Sequence, residues 1–315
     1  MELRLPEGFL NDEVRDDFLI VSEMKRAWAA SIKTLMDVAR VCERHNITYY
    51  ADYGTLLGAI RHDGYIPWDD DIDISVMRKD FRPLLEILAR ELPGNYVVAS
   101  IYTQETHSMP SASILNRRRI DLGSEEDKLI TGQYYGSPYG CGIDIFPIDK
   151  IPDDEELRDN FFNLYNIVYY TEYMYMDLKK SGMLDSMLTQ IESMCDITFS
   201  QDRDRQALIE LRILLADIAG AFSDLDCQRC ALMQDIGERQ LLEGFDPMSM
   251  TKETKWFEKT ETHKFEYVDI KIPSAYDSIL KAEFGDYMVK KRISGGHDYP
   301  FYKDQKAERE RILGL

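Results

Sequence analysis

Closely spaced aspartates between residues 69 and 73 are the first feature of this chain that suggests chemistry. Asp69, Asp71 and Asp73 are two residues apart, and Ile72 and Ile74 alternate with them. On a β-strand, positions i, i+2 and i+4 share one face, so the pattern predicts carboxylates on one side and apolar groups on the other. Like charges this close raise the free energy unless a cation lies between them. A metal site is one explanation for such a stretch.

Three interpretations of the acidic stretch compete. A solvated acidic loop explains the charges but not their alternation with isoleucine. A calcium loop of the EF-hand type requires glycine at its sixth position, which is Ile74 here, and favours glutamate at its twelfth, which is Asp80. A magnesium site for phosphoryl or nucleotidyl transfer fits better, because Mg²⁺ uses few protein carboxylates and lets substrate phosphates complete its coordination. Asp70 interrupts the alternation, so the strand is expected to begin after it.

A third carboxylate is expected from the segment GIDIFP, residues 142–147. Asp144 lies between two isoleucines and therefore faces opposite to them, and Pro147 suggests that this strand ends or lies at a sheet edge. Ligands of open α/β sheets bind at strand ends, which favours Asp144 as a site residue. An aspartate in a strand-end turn is the alternative role, and Asp149 is the substitute for Asp144.

A glycine–threonine pair precedes the acidic stretch. Gly54 and Thr55 begin the segment GTLLGAIRH, which predicts a turn that opens a short helix. Glycine lets backbone N–H groups approach a phosphate closely, and a helix N-terminus attracts anions. Arg61 can hold a diphosphate through two hydrogen bonds, although pairing with one of the aspartates explains it equally well. These three residues are candidates for substrate binding.

Further candidates surround these motifs. His62 and His297 could contact phosphate or transfer a proton, with structural roles at helix ends as the alternative. Trp68 could hold a quaternary ammonium group against its ring, or wedge the acidic loop against the sheet. The run Lys290–Arg292 is either a local phosphate site or a solvated basic surface.

Size and composition limit the possible functions. The chain of 315 residues carries 57 acidic and 38 basic residues, a formal net charge of −19. This charge disfavours binding to bare nucleic acid or to an anionic membrane surface. The first residues lack the apolar core of a signal peptide, and no segment approaches the roughly 20 apolar residues of a membrane span. Five cysteines, a small and odd number, indicate a reducing compartment, so we expect a cytoplasmic protein, at most peripheral at the inner face of the membrane.

The first half of the chain mixes helical and strand patterns. Apolar residues recur every three or four positions from 12 to 44, which predicts one long helix. Residues 79–91 predict an amphipathic helix that ends at Pro93-Gly94. Strands are predicted in the sequences ITYYADY, DIDISVM, NYVVASIY, SASILNRR and GCGIDIFPI. These elements must position the carboxylates, and they predict a mixed α/β core.

From about residue 153 to 244 the pattern becomes almost continuously helical and rich in Tyr and Met, which predicts a bundle of about three to five helices. The Tyr and Met side chains are expected to fill its core. Cys227 and Cys230 form a lone CxxC in this pattern, expected to be two packed thiols one helical turn apart. FEYVDIKIP then predicts a strand, and residues 274–284 a helix. The predicted division is a catalytic core with an N-terminal helix at 1–152, a helical insert or subdomain at 153–244, and a C-terminal part at 245–315 that returns to the core.

Together these motifs resemble the LicD family of phosphotransferases, which is related to fukutin and the fukutin-related protein. The strongest resemblance covers YGTLLGAIRHDGYIPWDDDIDI, residues 53–74. Weaker resemblance follows in the same order at GIDIFPID, YDSILKAEFGDYM and GGH. It therefore spans most of the chain, and the helical segment 153–244 matches least.

The resemblance implies a fold similar to nucleotidyltransferases, a mixed α/β (α+β) sheet flanked by helices. It implies Mg²⁺-dependent transfer of a phospho-alcohol, such as phosphocholine, from a CDP-linked donor such as CDP-choline, with Mn²⁺ as the alternative metal. The implied acceptor is a hydroxyl of a cell-surface glycan, such as lipopolysaccharide or teichoic acid, or of its lipid-linked precursor. The residues implied to hold metal or to be catalytic are Asp71, Asp73 and Asp144, with Asp69 beside them, and those implied to hold donor phosphates are Gly54 and Thr55.

Other functions remain open at this point. A plain nucleotidyltransferase would attach the nucleotide and release pyrophosphate. A glycosyltransferase with a DxD motif would leave the GTLLG segment unexplained. A non-catalytic metal-binding or glycan-binding module would bind without turnover, and Mg²⁺-dependent release of CMP from CDP-choline separates transfer from binding.

Overall fold

The computed structural model describes residues 3–292 and 299–315. The strands within these ranges are β1 (Glu13–Arg15), β2 (Phe18–Ile20), β3 (Tyr49–Ala51), β4 (Asp73–Met77), β5 (Val97–Ala99), β6 (Ala112–Leu115), β7 (Gly142–Ile151), β8 (Arg229–Ala231), β9 (Lys252–Glu253), β10 (Thr260–Phe265) and β11 (Val268–Pro273). The helices are α1 (Ser22–Arg44), α2 (Tyr53–His62), α3 (Arg78–Glu91), α4 (Glu125–Gln133), α5 (Glu155–Tyr173), α6 (Tyr175–Ser181), α7 (Leu184–Cys195), α8 (Gln206–Ala219), α9 (Met233–Glu243), α10 (Tyr276–Phe284) and α11 (Lys303–Leu313). No helix in the described ranges is long and apolar enough to cross a bilayer.

The predicted α/β fold with a mixed sheet flanked by helices is confirmed. The main sheet runs in the order β3-β4-β7-β6-β5. Strand β8 pairs with the C-terminal end of β7, and β9 pairs with β8. Strands β4 and β7 are parallel, whereas the other neighbours are antiparallel. Helix α1 contacts both β7 and α3, and its buried side chains include Met24, Trp28, Ile32 and Leu35. Their spacing of three and four residues keeps these side chains on one face.

Pro147 lies inside a strand rather than at its end, contrary to the sequence expectation. The backbone N–H of Asp144 donates to the Ile72 carbonyl, on the β4 side of the strand. Backbone polar groups of successive strand residues point to opposite sides, so those of residue 147 point away from β4. On that other side β6 pairs with residues 142–145 only. Residue 147 therefore lies beyond the segment that pairs with β6, where a missing N–H costs no ladder hydrogen bond with β6.

The long helix predicted from residue 12 begins at Ser22, and the residues before it form an antiparallel hairpin of β1 and β2. Its turn residues Asp16 and Asp17 have φ angles of 50° and 57°. A two-residue hairpin turn of this kind needs positive φ at both central positions, which aspartate tolerates better than most residues. The prediction of helix here was wrong because the apolar spacing continued across the turn.

Helices α5 to α9 build a second apolar cluster of their own. Its buried members come from residues 151 to 236 and include Phe161, Tyr165, Leu188 and Leu211. The predicted run of helix is interrupted by β8, which contains Cys230 and pairs with both β7 and β9. The expectation that the two CxxC thiols lie one helical turn apart is therefore wrong, because the end of β7 offers backbone partners to this segment.

Candidate active site

The first two carboxylates of the site are brought together by the parallel pairing of β4 and β7. Asp73 begins β4, and its register partner on β7 is Asp144. Residues 69–72 form the loop that leads into β4, so the strand begins two residues later than the alternation suggested. Ser113, the register partner of Asp144 on β6, donates its hydroxyl to Asp144 Oδ1 at 2.5 Å. The position of the Asp144 carboxylate is therefore set by both neighbouring strands.

Helix α2 fixes the other side of the site. Asp52 caps the helix by accepting from the Tyr53 N–H, and its own N–H donates to the Asp73 carbonyl at 3.1 Å. The Thr55 hydroxyl is buried and accepts from the Asp73 N–H at 2.9 Å. Thr55 thus anchors the first residue of β4. A Cβ on Gly54 would lie 2.4 Å from Asp69 Oδ2, so the carboxylate occupies the space that glycine leaves open.

The acidic loop concentrates charge beside these elements. Carboxylate oxygens of Asp69, Asp70 and Asp71 all lie within 4.8 Å of one another. The Trp28 indole N–H donates to the Asp69 carbonyl at 3.2 Å, which holds the loop on α1. We call Asp69, Asp71, Asp73 and Asp144 the acidic cluster.

The electrostatics of the acidic cluster fit a bound cation. Burial raises the pKa of the Asp69, Asp73 and Asp144 carboxyls, and the charge of Asp71 raises each of them further. Asp71 is thus the common neighbour of the other three. A set of closely spaced carboxylate oxygens is the ligand chemistry that hard divalent cations prefer, and a cation would remove the mutual repulsion that raises these pKa values. The residues present therefore fit Mg²⁺ or Mn²⁺.

Two cavities border the acidic cluster on different sides. The first, of about 450 Å³, is lined by Asp70, Asp71, Ser113 and Asp144, with Phe301 at its wall. The second, of about 560 Å³, has a lining that includes Gly54, Arg61, Trp68, Asp69, Arg239, Glu283, Asp286, Lys291 and Tyr299, and we call it the mixed-charge cavity. A reaction at the acidic cluster could therefore receive two different molecules from two sides.

The remaining predicted substrate-binding residues fall in different places. Arg61 and Trp68 line the mixed-charge cavity, and the Arg61 guanidinium donates to the Tyr287 carbonyl at 3.0 Å rather than to an aspartate. The His62 side chain is buried and its Nε2 lies 3.1 Å from Asp16 Oδ2. Burial lowers the pKa of His62 to about 4, so its imidazole is neutral at pH 7. His297 lies outside the described residues.

Sequence reasoning missed several residues that the structure places at the site. Ser113 lies in a predicted strand, but nothing in the sequence alone showed that it would be the register partner of Asp144. Arg239 and Glu283 come from α9 and α10, far from the acidic stretch in sequence. Asp149, the substitute for Asp144, instead forms a buried two-bond ion pair with Arg78.

Replacing Gly54 with alanine is expected to weaken divalent-cation binding by about tenfold or more, because the new methyl group must displace the Asp69 carboxylate. Stability should change little, since the displaced group is the end of a side chain and alanine favours helix over glycine. The measurement is a titration of thermal unfolding with Mg²⁺ after EDTA treatment. Gly132→Ala in α4 is the control, because its Cβ would meet no atom within 4 Å. Equal Mg²⁺ affinity in the Gly54 variant and wild type would contradict the assignment.

Comparison with known proteins finds a family that part of this chain resembles. Residues 46–188 match the model described as LicD/FKTN/FKRP, nucleotidyltransferase domain. The chain is 29% identical over 120 residues to the lipopolysaccharide cholinephosphotransferase LicD of Haemophilus influenzae, an alignment covering 37% of the chain and 41% of that relative. It is 48% identical over 138 residues to an uncharacterized protein of Rickettsia typhi, covering 41% of the chain and 40% of that relative.

The aligned part of the chain spans about two fifths of the length of each of these two relatives. The matched segment 46–188 contains α2, the acidic loop, β4 and β7, and hence every member of the acidic cluster. The resemblance read from the sequence is thereby confirmed. Residues 46–188 of this chain are similar to the nucleotidyltransferase domain of the LicD family.

Proposed function

We propose that this protein is a Mg²⁺-dependent transferase that moves a phospho-alcohol, with phosphocholine as the model, from a CDP-linked donor to a hydroxyl of a glycan. The observation that carries the proposal is the register pairing of Asp73 with Asp144 beside Asp71, at the N-terminal end of α2. The similarity to a lipopolysaccharide cholinephosphotransferase supports the choice of phosphocholine and of a cell-surface glycan, free or lipid-linked, as the acceptor.

Asp71, Asp73 and Asp144 are the residues that would hold Mg²⁺, with Asp69 adjacent. The chemistry supplied by Mg²⁺ bound there is neutralisation of the charge on the donor phosphates and on the leaving group. Thr55 keeps Asp73 in place through the first N–H of β4, and Ser113 does the same for Asp144 through its hydroxyl. These contacts preorganise the carboxylates before substrates arrive.

The transfer itself is an in-line displacement. The acceptor hydroxyl attacks the phosphorus that carries the alcohol, the bond from that phosphorus to the oxygen bridging the two phosphates breaks, and CMP leaves with the bonding electrons. We assign uptake of the hydroxyl proton to Asp144, because it lines the cavity on the side away from α2 and burial raises its pKa.

The decisive assay measures release of CMP from CDP-choline by wild-type protein with Mg²⁺, with EDTA, and with Asp71→Asn. We expect release only with wild type and Mg²⁺. A screen of CDP-choline, CDP-ribitol and CDP-glycerol by protection against thermal unfolding then identifies the donor alcohol. Stabilisation by UDP-sugars and none by the CDP-alcohols would overturn the proposal.

A second candidate is a nucleotidyltransferase that attaches the nucleotide and releases pyrophosphate. The matched family model, which describes a nucleotidyltransferase domain, favours it. Analysis of the products separates the two functions, because phospho-alcohol transfer yields CMP and nucleotidyl transfer yields pyrophosphate. Mg²⁺ binding without either product would identify a non-catalytic module.

A further inference from the structure

The two cavities beside the acidic cluster differ in charge. The first has three aspartates and no basic residue among its described lining residues. The mixed-charge cavity has three basic side chains, those of Arg61, Arg239 and Lys291. A phosphate-bearing molecule is therefore favoured in the mixed-charge cavity, while the first suits a neutral polar molecule such as a sugar hydroxyl.

The basic residues of the mixed-charge cavity are available to a ligand. Within the described ranges, none of the three forms an ion pair with a carboxylate, although the whole chain has a net charge of −19. Arg239 is exposed, and its guanidinium lies 5.6 Å from the centre of the Phe245 ring. Of the acidic lining residues, Glu283 is paired with Lys252, Asp69 belongs to the acidic cluster and Asp286 is exposed.

Glu283 adds an independent sign of a polar ligand. One of its carboxylate oxygens pairs with the buried Lys252, and the other is buried without a hydrogen-bond partner among the described residues. A buried oxygen left in this state costs free energy unless a ligand donates to it. The same cavity carries the aromatic rings of Trp68 and Tyr299, which suit the flat face of a base. Phosphates, a base and an O–H or N–H donor together describe a nucleoside diphosphate.

We propose that Arg239 binds the diphosphate of the nucleotide donor, so that the helical segment following the matched domain completes the donor site. The inference rests on the proposed function and extends it, because α9 lies outside the matched residues 46–188. Arg239 is a substrate-binding residue in this assignment, and Arg61 and Lys291 are its partners around the phosphates.

A hydrogen bond from the catalytic core holds α9 in place for this role. The Tyr53 hydroxyl, at the start of α2, donates to Asp235 Oδ2 at 2.6 Å. Asp235 and Arg239 are four residues apart on α9 and therefore share a face of the helix. The contact thus sets Arg239 next to Gly54 and Asp69 at the mixed-charge cavity.

The test compares wild type with Arg239→Gln, Arg239→Lys and the control Arg90→Gln. Arg90 is an exposed arginine on α3 that is not among the lining residues of either cavity. Inorganic pyrophosphate and CDP, each with Mg²⁺, are titrated against the thermal unfolding of each variant. We expect Arg239→Gln to raise the dissociation constants of pyrophosphate and of CDP by about tenfold or more. Arg239→Lys should recover part of the lost affinity, and Arg90→Gln should bind both probes as wild type does. The KM for CDP-choline should rise in the same order, with a smaller change in kcat.

The outcomes separate this inference from the proposed function. Unchanged pyrophosphate and CDP binding by Arg239→Gln overturns the inference, even if CMP release from CDP-choline establishes the transferase. Absence of any protection of wild type by either probe also overturns it. If pyrophosphate and CDP protect wild type and Arg239→Gln loses that protection, the inference holds even when no CDP-alcohol is turned over, and the proposed function fails instead.

Discussion

Replacing Asp73 with asparagine is expected to stabilise the metal-free protein and to remove nearly all of the proposed Mg²⁺-dependent transfer activity. Asp73 is buried, and the charges of Asp71, Asp144, Asp69 and Asp52 all act to raise its pKa further. Two carboxylates about 5 Å apart repel by roughly 3 kcal/mol at an effective dielectric constant of about 20. Allowing for structural relaxation, we expect the free energy of unfolding to rise by about 1 to 3 kcal/mol, which corresponds to several degrees in Tm. Activity should fall at least about a hundredfold.

The pH dependence of this gain has a defined sign. Because the pKa of Asp73 is raised in the folded state, the unfolded chain gives up this proton first as the pH rises. Stability is therefore full below the unfolded pKa and is lost as the pH rises from there through the folded pKa. In EDTA, the Tm values of wild type and Asp73→Asn should therefore converge at low pH and diverge as the pH rises. At about 1 M salt, where the screening length is about 3 Å, the difference should shrink.

The measurement is thermal unfolding of both proteins in EDTA across pH, paired with CMP release in Mg²⁺. A clear loss of stability in Asp73→Asn with activity retained would show that Asp73 is a structural hydrogen-bond acceptor. It would also remove Asp73 from the proposed metal site.

Replacing Asp149 with asparagine should have the opposite effect on stability. Arg78 donates to both Asp149 oxygens, at 2.5 and 3.0 Å, and both side chains are buried. Breaking a buried pair by removing one charge costs about 3 to 5 kcal/mol, because the other charge stays buried and uncompensated. At about 2 to 4 °C per kcal/mol, Tm should fall by about 10 °C.

The matched control for Asp149 is Asp144→Asn on the same strand. Asp144 is surrounded by Ser113 and other carboxylates rather than by a guanidinium. Its neutralisation should therefore leave the metal-free Tm unchanged or raise it, while transfer activity is lost. Differential scanning calorimetry of both variants in EDTA is the measurement. A surface substitution typically shifts Tm by only about 2 °C. If the Tm of Asp149→Asn differs from that of wild type by no more than this, Arg78 finds another partner in the variant.

The sequence predicted the mixed sheet because most strands carry their own signal. The alternation of apolar residues around Asp73 and around Asp144 is visible in each short segment by itself. The two aspartates then become neighbours if β4 and β7 pair. The sequence did not predict the hairpin of β1 and β2, because its turn residues are Asp16 and Asp17. A turn with positive φ at two successive positions normally contains a glycine, and this one has none.

The parts of the site that sequence did not predict depend on tertiary neighbours. Ser113 matters because β6 happens to pair with β7 in one register, and a shift of one residue would turn its hydroxyl away. Arg239 and Glu283 reach the mixed-charge cavity from helices that contain no nucleotide-binding motif. Their positions follow from how α9 and α10 pack, which no short stretch of sequence encodes.

The pairing of β4 with β7 also sets the order in which the site can come into existence during folding. Strand β4 can pair with β3, and β6 with β7, across shorter stretches of chain, whereas Asp73 and Asp144 are about seventy residues apart in sequence. The two halves can thus assemble while their carboxylates are still far from one another. Repulsion between Asp144 and the other three members of the acidic cluster arises only when β4 and β7 pair, so this part of the electrostatic cost falls on the native state. A divalent cation that binds all four carboxylates would therefore stabilise the completed fold and would not nucleate it.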